Sequence, residues 1–340
     1  MTIILGIEST AHTFGVGIVK DWNVIANEKH AYTTTTGGIH PVKASDHHVE
    51  NAIPVLKNAL AKAGITIKDV DAISFSQGPG LGPCLSVGAF LARYLSLKYD
   101  KPLIGVNHCI AHLEIGRGIT KTNDPVLLYA SGANTQIIAF QEGKYRVFGE
   151  TLDTGVGNML DTFARYLGLG FPGGPKIQEL ASRGKKLLKI PYSIKGMDVS
   201  FSGILTHIER IKNETTEDIC FSLQETVFAM LVEASERALA HTDKTELVLG
   251  GGVACNKRLQ EMCKIMCEER GAICRVPPNE FLLDNGAMIA WQGAQQYETR
   301  RKKQDLRLET RDVKLKIGLT LEESQIKPYE RTDDVEVTWR

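Results

Sequence analysis

The residues with the clearest capacity for chemistry are two histidines, His108 and His112, which stand four residues apart in VNHCIAHLE. On a helix this spacing puts both imidazoles on one face, where they can bind one metal ion, although a polar helix face without a metal is the alternative. A third ligand is expected from elsewhere, and Asp284, which closes the apolar run FLLD, is the candidate. Tyr129 could add an oxygen ligand. Imidazoles and oxygens together suit iron, or a catalytic zinc with an open position, better than a structural thiolate zinc.

Two turns built from small residues could bind an anion. The segment VLLYASGANTQIIA, residues 126–139, has the pattern of strand, tight turn and strand. Its turn exposes backbone N–H groups to which a phosphate can bind, with the hydroxyl of Ser131 as a further donor; an ordinary hairpin is the alternative. The second turn, GGG around Gly251, lies between a strand and a helix, where α/β folds bind nucleotides. Asn256 could hydrogen-bond to a base or a ribose there, whereas a close helix–strand crossing is the alternative.

Four further polar residues are candidates for positions near a phosphate or a catalytic group. Glu8 and Ser9 follow the first predicted strand, and Ser9 falls at the place that Ser131 takes in the second half. A carboxylate there could hold a metal–phosphate complex or repel a second anion, although a turn acid bonded to local N–H groups is the alternative. His47 and His48 are adjacent, so on a helix they cannot share a face. We expect one to face the cleft and the other to face solvent.

The elements that must position these residues show an internal repeat. A strand–turn–strand–turn–strand pattern occurs at residues 3–29 and again at 126–150. Helical periodicity, buried strands and glycine turns follow in a βββαβαβ order in the first half, and the second half repeats this order with insertions. Such a duplication predicts two similar domains whose first turns face a common cleft. We place them at 1–124 and 125–298, followed by a tail, 299–340, that returns to the first domain.

The composition limits the classes of function that the chain can have. The chain of 340 residues has 40 Lys and Arg against 40 Asp and Glu, so its net charge of zero excludes a generic polyanion binder. Seven cysteines make an odd number and indicate reduced thiols. The N-terminus MTIILGIEST lacks the pattern of a signal peptide, and no apolar run approaches the roughly 20 residues that cross a bilayer. We therefore expect a cytoplasmic protein without a membrane partner.

Nine segments along the chain resemble one family. They are IESTAHTFGVGIV, SQGPGLGPCLSVG, VNHCIAHLEIGR, YASGANTQ, GNMLDTFAR, FPGGPKIQELA, LQETVFAML, LGGGVACNKRL and LLDNGAMIAW. Together they are similar to the universal tRNA threonylcarbamoyladenosine synthase family, from residue 3 to the last few residues. NHCIAH and the ending YERTDDVEVTWR are similar to its archaeal and eukaryal branch, the catalytic subunit of the KEOPS complex. The turns are similar to those of the actin-like ATPase superfamily, which implies an α/β fold of two duplicated βββαβα-type domains with a nucleotide cleft between them.

The resemblance implies an activity and a set of site residues. The threonylcarbamoyl group of threonylcarbamoyl-adenylate passes to the amino group of the adenosine 3′ of the anticodon in ANN-decoding tRNAs, and AMP is released. The implied cofactors are one divalent metal ion (iron favoured, zinc possible) and an adenine nucleotide, with Mg²⁺ as a further possibility. The implied metal ligands are His108, His112, Tyr129 and Asp284. The nucleotide or substrate contacts are Tyr129, Ala130, Ser131, Gly132, Ala133, Asp161, Gly174, Gln178, Gly251 and Asn256.

Two residues depart from the family pattern. Ala133 stands where the family has a second glycine, and its methyl group is tolerable if φ is negative there. Gln178 stands where the family has a glutamate, so a hydrogen bond to a ribose is possible but the charge is lost.

The resemblance also implies partners, and other functions stay open. The partners are tRNA, a separate adenylate-forming enzyme, and the KEOPS subunits: a small kinase-like ATPase, a dimerising subunit and another small protein. In some archaea the kinase is fused after the tail, so the chain could be a whole protein or the front of a fusion. A metalloprotease is one alternative, because the histidine spacing matches HExxH, but Cys109 replaces the glutamate. A small-molecule kinase of the same fold and a chaperone-like ATPase are the others.

Overall fold

The computed structural model describes residues 1–34, 39–309 and 317–340, without the side chains of 306–309. It has two compact units. The first contains the described residues of Met1–Tyr32, Ile39–Ile115 and Asp284–Arg340, and the second contains Thr33, Thr34 and Gly116–Leu283. Residues 35–38, and residues 310–316 of the predicted tail, lie outside the described residues.

Strands and helices alternate in both units. The strands are β1 (Ile3–Glu8), β2 (Thr13–Lys20), β3 (Asn23–Ala31), β4 (Ala72–Gly78), β5 (Leu103–Asn107), β6 (Val126–Ala130), β7 (Thr135–Gln141), β8 (Lys144–Glu150), β9 (Ile194–Lys195), β10 (Asp198–Val199), β11 (Glu246–Gly250) and β12 (Ile273–Arg275). The helices are α1 (Pro41–Ala63), α2 (Gly82–Tyr99), α3 (His108–Thr120), α4 (Val156–Tyr166), α5 (Gly174–Ala181), α6 (Ser202–Ile208), α7 (Thr216–Thr242), α8 (Lys257–Arg270), α9 (Asn279–Leu282) and α10 (Gly286–Glu309).

The two five-stranded sheets have the same topology. The first has the order β3-β2-β1-β4-β5 and the second has the order β8-β7-β6-β11-β12. In each, the first three strands form an antiparallel meander, and the two later strands run parallel to the first strand of the meander. The predicted duplication is therefore confirmed. The insertion between β8 and α7 contains α4, α5, β9, β10 and α6, and part of it, residues 187–215, shows no clear pattern in the sequence.

The helix α1 shows how an apolar pattern becomes a packed element. Its buried residues include Ala52, Val55, Leu56 and Ala59, which recur at the spacing of one helix face. The helix ends at Gly64, where a φ of 65° lets the glycine N–H bond to the carbonyls of the last turn. It begins at Pro41, because proline is well suited to the first helical position. His47 and His48 therefore lie within the helix.

The helix α10 belongs to the first unit and rests on glycines of its sheet. Gly6 and Gly17 lie opposite each other in the β1–β2 register. A Cβ added to Gly17 would lie 2.1 Å from the backbone nitrogen of Ala287, and one added to Gly6 would lie 2.2 Å from that of Ala290. Side chains at these positions would prevent the close approach, so the glycines allow helix and sheet backbones to touch.

The compact units consequently differ from the predicted domains at both boundaries. Residues 284–298, which we placed in the second domain, are part of the first unit through α10. The domain boundary that we placed at 124 falls after Ile115. Residues 299–309, which we assigned to the tail, continue α10, because a charged helical end leaves little apolar pattern to recognise. The described end of the chain, 317–340, lies in the first unit, where the N–H of Leu319 donates to the carbonyl of Leu103 over 2.7 Å.

The remaining expectations concern thiols and membranes. All seven cysteines are free thiols. Within the described parts of the chain, no helix combines the length and the apolar character that a membrane span requires.

Candidate metal centre and nucleotide-binding turns

The first turn of α3 carries the histidine pair. The strand β5 ends at Asn107, whose side-chain oxygen accepts the backbone N–H groups of Cys109 at 3.1 Å and Ile110 at 3.2 Å. This is an N-cap, and it starts the helix at His108. His108 and His112 then lie one turn apart on the same face, with ring centroids 4.8 Å apart. The expected placement of both imidazoles on one face is confirmed.

Asp284 reaches the same place from the start of α10. Its Oδ1 lies 3.3 Å from His112 Nε2 and 3.6 Å from His108 Nε2. The ligand atoms of the three residues all lie within 4.8 Å of one another. Asn285 caps α10 by accepting the N–H of Met288 at 3.0 Å, so the carboxylate is fixed just before the helix. The docking of α10 on the glycines of β1 and β2 thus brings Asp284 to the histidines.

The donor set fits a metal ion. Two imidazole nitrogens and one carboxylate oxygen are ligands that iron and catalytic zinc accept, and both histidines are buried. Among the described His, Cys, Asp and Glu residues, this is the one group of three whose ligand atoms cluster in this way.

The charges of the cluster favour a proton or a cation between its groups. Burial disfavours the charged imidazole of His108, but the carboxylates of Glu8 and Asp284 outweigh it and raise the pKa of His108 to about 9. Burial lowers the pKa of His112, and the neighbouring His108 lowers it further. Burial also opposes the charge of Asp284, yet the hydrogen bond with His112 and the charge of His108 hold the pKa of Asp284 well below its usual range. A metal ion bound there would compete with protons for the same ligand atoms.

Glu8 lies beside His108 and is shielded from solvent. It ends β1, and its side chain is completely buried. One carboxylate oxygen lies 3.0 Å from His108 Nδ1, and the other accepts the backbone N–H of Thr10 at 2.6 Å and the Thr10 hydroxyl. The placement of Glu8 near a phosphate or a catalytic group stays a prediction. Its position at the polar end of an apolar strand was the available signal, but the pairing with His108 depends on the sheet order.

Ser9 also lies away from solvent. Its N–H donates to Ser76 Oγ at 3.0 Å, and its side chain is fully buried against α2. A Cβ added to Gly88 of that helix would lie 2.1 Å from Ser9 Oγ. The equivalence with Ser131 in the sequence repeat holds, since each follows the first strand of its sheet. The placement of Ser9 near a phosphate or a catalytic group stays a prediction, and α2 encloses its hydroxyl in this structure.

His47 and His48 point to different surroundings, as adjacent helical residues must. His48 is buried beside Phe14, with ring centroids 5.6 Å apart, and its burial lowers the pKa to about 4. His47 is half-buried, and its Nε2 lies 2.6 Å from Nδ1 of the exposed His30. The catalytic role that we suggested for them stays a prediction.

In the second unit, the SGANT turn is held by its own polar groups and by α4. The N–H and the hydroxyl of Ser131 both donate to the carbonyl of Asn134 at 2.9 Å, so the hydroxyl closes the turn. The carbonyls of Ser131 and Gly132 accept the N–H groups of Gly157 at 3.0 Å and Asn158 at 2.9 Å. Ala133 is exposed and is not among the residues with positive φ, so its methyl group is compatible with the turn.

The GGG turn lies directly against the end of β6. Gly251 has a φ of 88°, and a Cβ added to it would lie 2.4 Å from the carbonyl oxygen of Ala130. Because β6 and β11 are parallel neighbours, their carboxyl ends bring the two predicted turns together at one edge of the sheet.

Asn256 caps the next helix. Its side-chain oxygen accepts the N–H of Arg258 at 2.9 Å, and its amide donates to Gln224 Oε1 at 2.9 Å. The side chain is buried, and these two bonds fix it at the start of α8. Its contact with a base or a ribose stays a prediction.

Asp161, Gly174 and Gln178 come together through one loop. Asp161 Oδ1 accepts the N–H of Gly173 at 2.7 Å, which fixes the loop before α5. Gly174 begins α5, and a Cβ added there would meet nothing within 4 Å. Gln178 follows one turn later on the same helix face and is half-buried. The arrangement leaves space beside Gly174 for a ligand group.

Tyr129 lies in β6 and is buried. It belongs to the second unit, whereas His108, His112 and Asp284 belong to the first. Its role as a fourth metal ligand stays a prediction. Two residues that support the cluster, Thr10 and Asn107, were missed from the sequence. The asparagine directly before a predicted helix was a usable capping signal.

Comparison with known proteins identifies the family. Residues 23–291 match the family model described as TsaD, tRNA N6-adenosine threonylcarbamoyltransferase. A protein of Thermococcus sibiricus called tRNA N6-adenosine threonylcarbamoyltransferase is 54% identical over 99% of this chain and 100% of its own length. A protein of Methanosarcina acetivorans called a probable bifunctional tRNA threonylcarbamoyladenosine biosynthesis protein is 53% identical over 99% of this chain, but the match covers 60% of its own length.

The solved structures agree on the fold. The crystal structure of HypF from T. kodakarensis matches with a TM-score of 0.62 at 14% identity, covering 85% of this chain and 46% of that protein. This likeness and the duplicated sheet order confirm the expected actin-like ATPase fold. The chain is a transferase that belongs to the tRNA N6-adenosine threonylcarbamoyltransferase family.

Proposed function

We propose that the chain transfers the threonylcarbamoyl group from threonylcarbamoyl-adenylate to the N6 amino group of the adenosine 3′ of the anticodon in ANN-decoding tRNAs, with release of AMP. The observation that carries the proposal is the cluster of His108, His112 and Asp284, whose ligand atoms lie within 4.8 Å of one another. It occurs in a chain that is 54% identical to named transferases of this kind over nearly its whole length.

The cluster would hold one divalent ion, iron or zinc, with Tyr129 as the proposed fourth ligand. When bound, such an ion supplies a Lewis acid for the carbonyl under attack. The residues of the chain orient the site: the Asn107 cap fixes the start of α3, and Asn285 fixes Asp284. Both histidines are buried and Asp284 is partly exposed, which supports access for substrate from the carboxylate side.

The turns of the second unit would bind the AMP portion of the adenylate. Residues 130–133 and Gly251 lie at the carboxyl ends of neighbouring parallel strands, where α/β proteins bind phosphates and nucleotides. Asp161, Gly174 and Gln178 form the neighbouring loop and would contact the ribose. Because AMP is already a good leaving group, holding the adenylate in place accounts for much of the rate that the protein must supply.

Substitution of Gly251 by alanine tests this part. Alanine at φ 88° is strained, and its Cβ would clash with the Ala130 carbonyl at 2.4 Å. We expect AMP and ATP to bind at least about 10-fold more weakly, because the clash displaces the turn. A tenfold loss of affinity corresponds to roughly 1.4 kcal/mol of binding free energy. Isothermal titration calorimetry on the full chain measures this.

Gly252→Ala is the matched control. Its added Cβ would meet Leu283 Cδ2 at 3.5 Å, an ordinary contact, and φ is not positive there. We expect its nucleotide affinity to stay near that of the parent. Equal affinities for Gly251→Ala and the parent, with both folded by thermal melting, would argue against nucleotide binding at this turn.

The KEOPS assignment is also part of the proposal, and the exposed face of two helices supports a protein partner. On α2, Phe90 is 73% exposed and Leu97 is 67% exposed, and they share a helix face with the exposed Tyr94. On α1, Val49 and Ile53 are exposed one turn apart. Apolar side chains grouped at helical spacing indicate a protein-binding surface, and we assign it to a KEOPS subunit. The zero net charge supports tRNA binding that is shared with such partners.

The experiment that tests the proposed function is transfer of carbon-labelled threonine to a transcript of an ANN-decoding tRNA. The assay contains the chain, ATP, bicarbonate, the adenylate-forming enzyme and the candidate KEOPS subunits. We expect label in the tRNA, and none with a transcript that has guanosine 3′ of the anticodon. Absence of label with all components present would contradict the proposal and favour an actin-like ATPase or kinase activity.

A further inference from the structure

The imidazole of His108 is held from both sides. Its Nε2 lies 3.6 Å from Asp284 Oδ1, at the metal cluster, and its Nδ1 lies 3.0 Å from Glu8 Oε2. The two nitrogens are on opposite edges of the ring. Glu8 therefore does not compete for the ligand position, and its hydrogen bond to the cluster is made to His108.

The hydrogen bonds around Glu8 determine which ring nitrogen of His108 carries a hydrogen. The other oxygen, Oε1, accepts both the N–H and the hydroxyl of Thr10. The Thr10 hydroxyl, which lies 3.3 Å from His108 Nδ1, has thereby used its hydrogen and can only accept from the imidazole. With acceptors on that side, Nδ1 must carry a hydrogen and donate it. When His108 is neutral, Nε2 then has the lone pair that a metal ion requires.

The sheet makes the arrangement rigid. Glu8 is the last residue of β1, whose neighbours are β2 and β4, and His108 follows β5, which pairs with β4. Both side chains are buried, so water does not compete for the hydrogen bond between them. A carboxylate in this position behind a ligating imidazole fixes the ring and strengthens its donor nitrogen.

We propose that Glu8 is a positioning residue that holds His108 in the tautomer and orientation required for metal binding, and so sets the affinity of the cluster for a divalent cation. The inference rests on the metal site of the proposed function, and goes beyond it by giving a role to a residue outside the ligand set.

The test is the metal affinity of the full chain after replacement of Glu8 by glutamine. The amide has nearly the same shape, but it offers one acceptor and one donor where two acceptors are needed. Its NH2 group would therefore face another donor, either Thr10 or the Nδ1–H of His108. We expect Zn²⁺ and Co²⁺ to bind about 10- to 100-fold more weakly than in the parent, as loss of such a carboxylate partner does in other sites. Competition with a chromophoric chelator measures the affinity of metal-free protein for each ion.

Glu114→Gln is the matched control. Glu114 is another buried glutamate and lies on the same helix as both histidines, but its Oε2 accepts from Gln295 Nε2 at 2.6 Å. We expect its affinity for Zn²⁺ to stay within about threefold of the parent, because this residue supports packing and not the imidazole. Thermal melting of the metal-free variants identifies any that do not fold. If Glu8→Gln fails to fold, Glu8→Asp decides by the same titration, since its shorter side chain cannot keep the bond to Nδ1 unchanged.

The outcomes separate the inference from the function on which it rests. A parent that binds neither ion contradicts the metal site itself. A parent that binds, together with unchanged affinity in the folded Glu8 variant, overturns the positioning role alone. An equal loss in the Glu8 and Glu114 variants also overturns it, because general disturbance of the buried region would then explain the effect. A loss confined to the Glu8 variant supports it, whether or not transfer to tRNA is observed.

Discussion

Replacement of Asp284 by alanine is expected to lower transfer of threonylcarbamoyl to tRNA by a factor of about 1000, since a metal ion contributes several kcal/mol to stabilisation of developing charge. Asp284 supplies the carboxylate of the cluster, with Oδ1 3.3 Å from His112 Nε2. Its removal leaves two imidazoles facing each other without the anion that balances a cation. His112→Ala should have an effect of the same order, because it removes a buried ligand that no other described residue of the cluster can replace.

The assay of labelled threonine transfer measures activity, and metal analysis of the purified variants separates loss of metal from misfolding. Asp153→Asn is the matched control, because Asp153 is a carboxylate of the second unit that accepts the N–H groups of Phe201 and Ser202 and lies outside the cluster. We expect that control to transfer at nearly the parent rate. Full transfer by folded Asp284→Ala protein that carries no metal would show that the cluster has no catalytic part.

Replacement of Gly17 by alanine is expected to destabilise the first unit by about 3 kcal/mol or more, the upper range for forcing atoms into a packed interface. The new Cβ would lie 2.1 Å from the backbone nitrogen of Ala287 and 2.3 Å from the carbonyl carbon of Gly286. Backbone atoms of a helix cannot rotate away as a side chain can, so α10 as a whole must shift. Asp284 stands two residues before Gly286, and its displacement should also weaken metal binding.

Thermal and chemical denaturation measure the stability, and chelator competition measures the metal affinity. Gly82→Ala is the control in the same unit, because its added Cβ would approach nothing closer than Pro328 Cγ at 3.9 Å. We expect that variant to stay within about 1 kcal/mol of the parent. If Gly17→Ala melts like Gly82→Ala and binds metal like the parent, the contact of α10 with the β1–β2 glycines does not position Asp284.

Glu8 shows why a candidate residue can be found from sequence while its role cannot. A carboxylate at the end of an apolar strand is visible as a departure from the pattern, and we placed it near a phosphate or a catalytic group. Glu8 and His108 are 100 positions apart in the chain, and their contact depends on β1 and β5 flanking the same strand, β4. Ser9, the next residue, was placed there too, by analogy with Ser131, and only the structure shows that α2 encloses its side chain at Gly88. A repeat in sequence predicts equivalent backbone positions, and neighbouring elements decide whether they reach a ligand.

The sequence by itself determined the features that depend on local order. Alternating strands, turns and helices, their repetition, the shared face of His108 and His112 and the family all follow from residue types and short spacings. Tertiary structure alone decided what meets these elements. The backbone of α10 lies on Gly6 and Gly17, and this contact brings Asp284 to the two histidines, although Asp284 is 172 positions from His112 in the chain. Residues 284–298 thereby become part of the first unit. The physical reason is that close packing selects partners by shape across the whole chain, and periodicity records which face of an element is buried without recording what buries it.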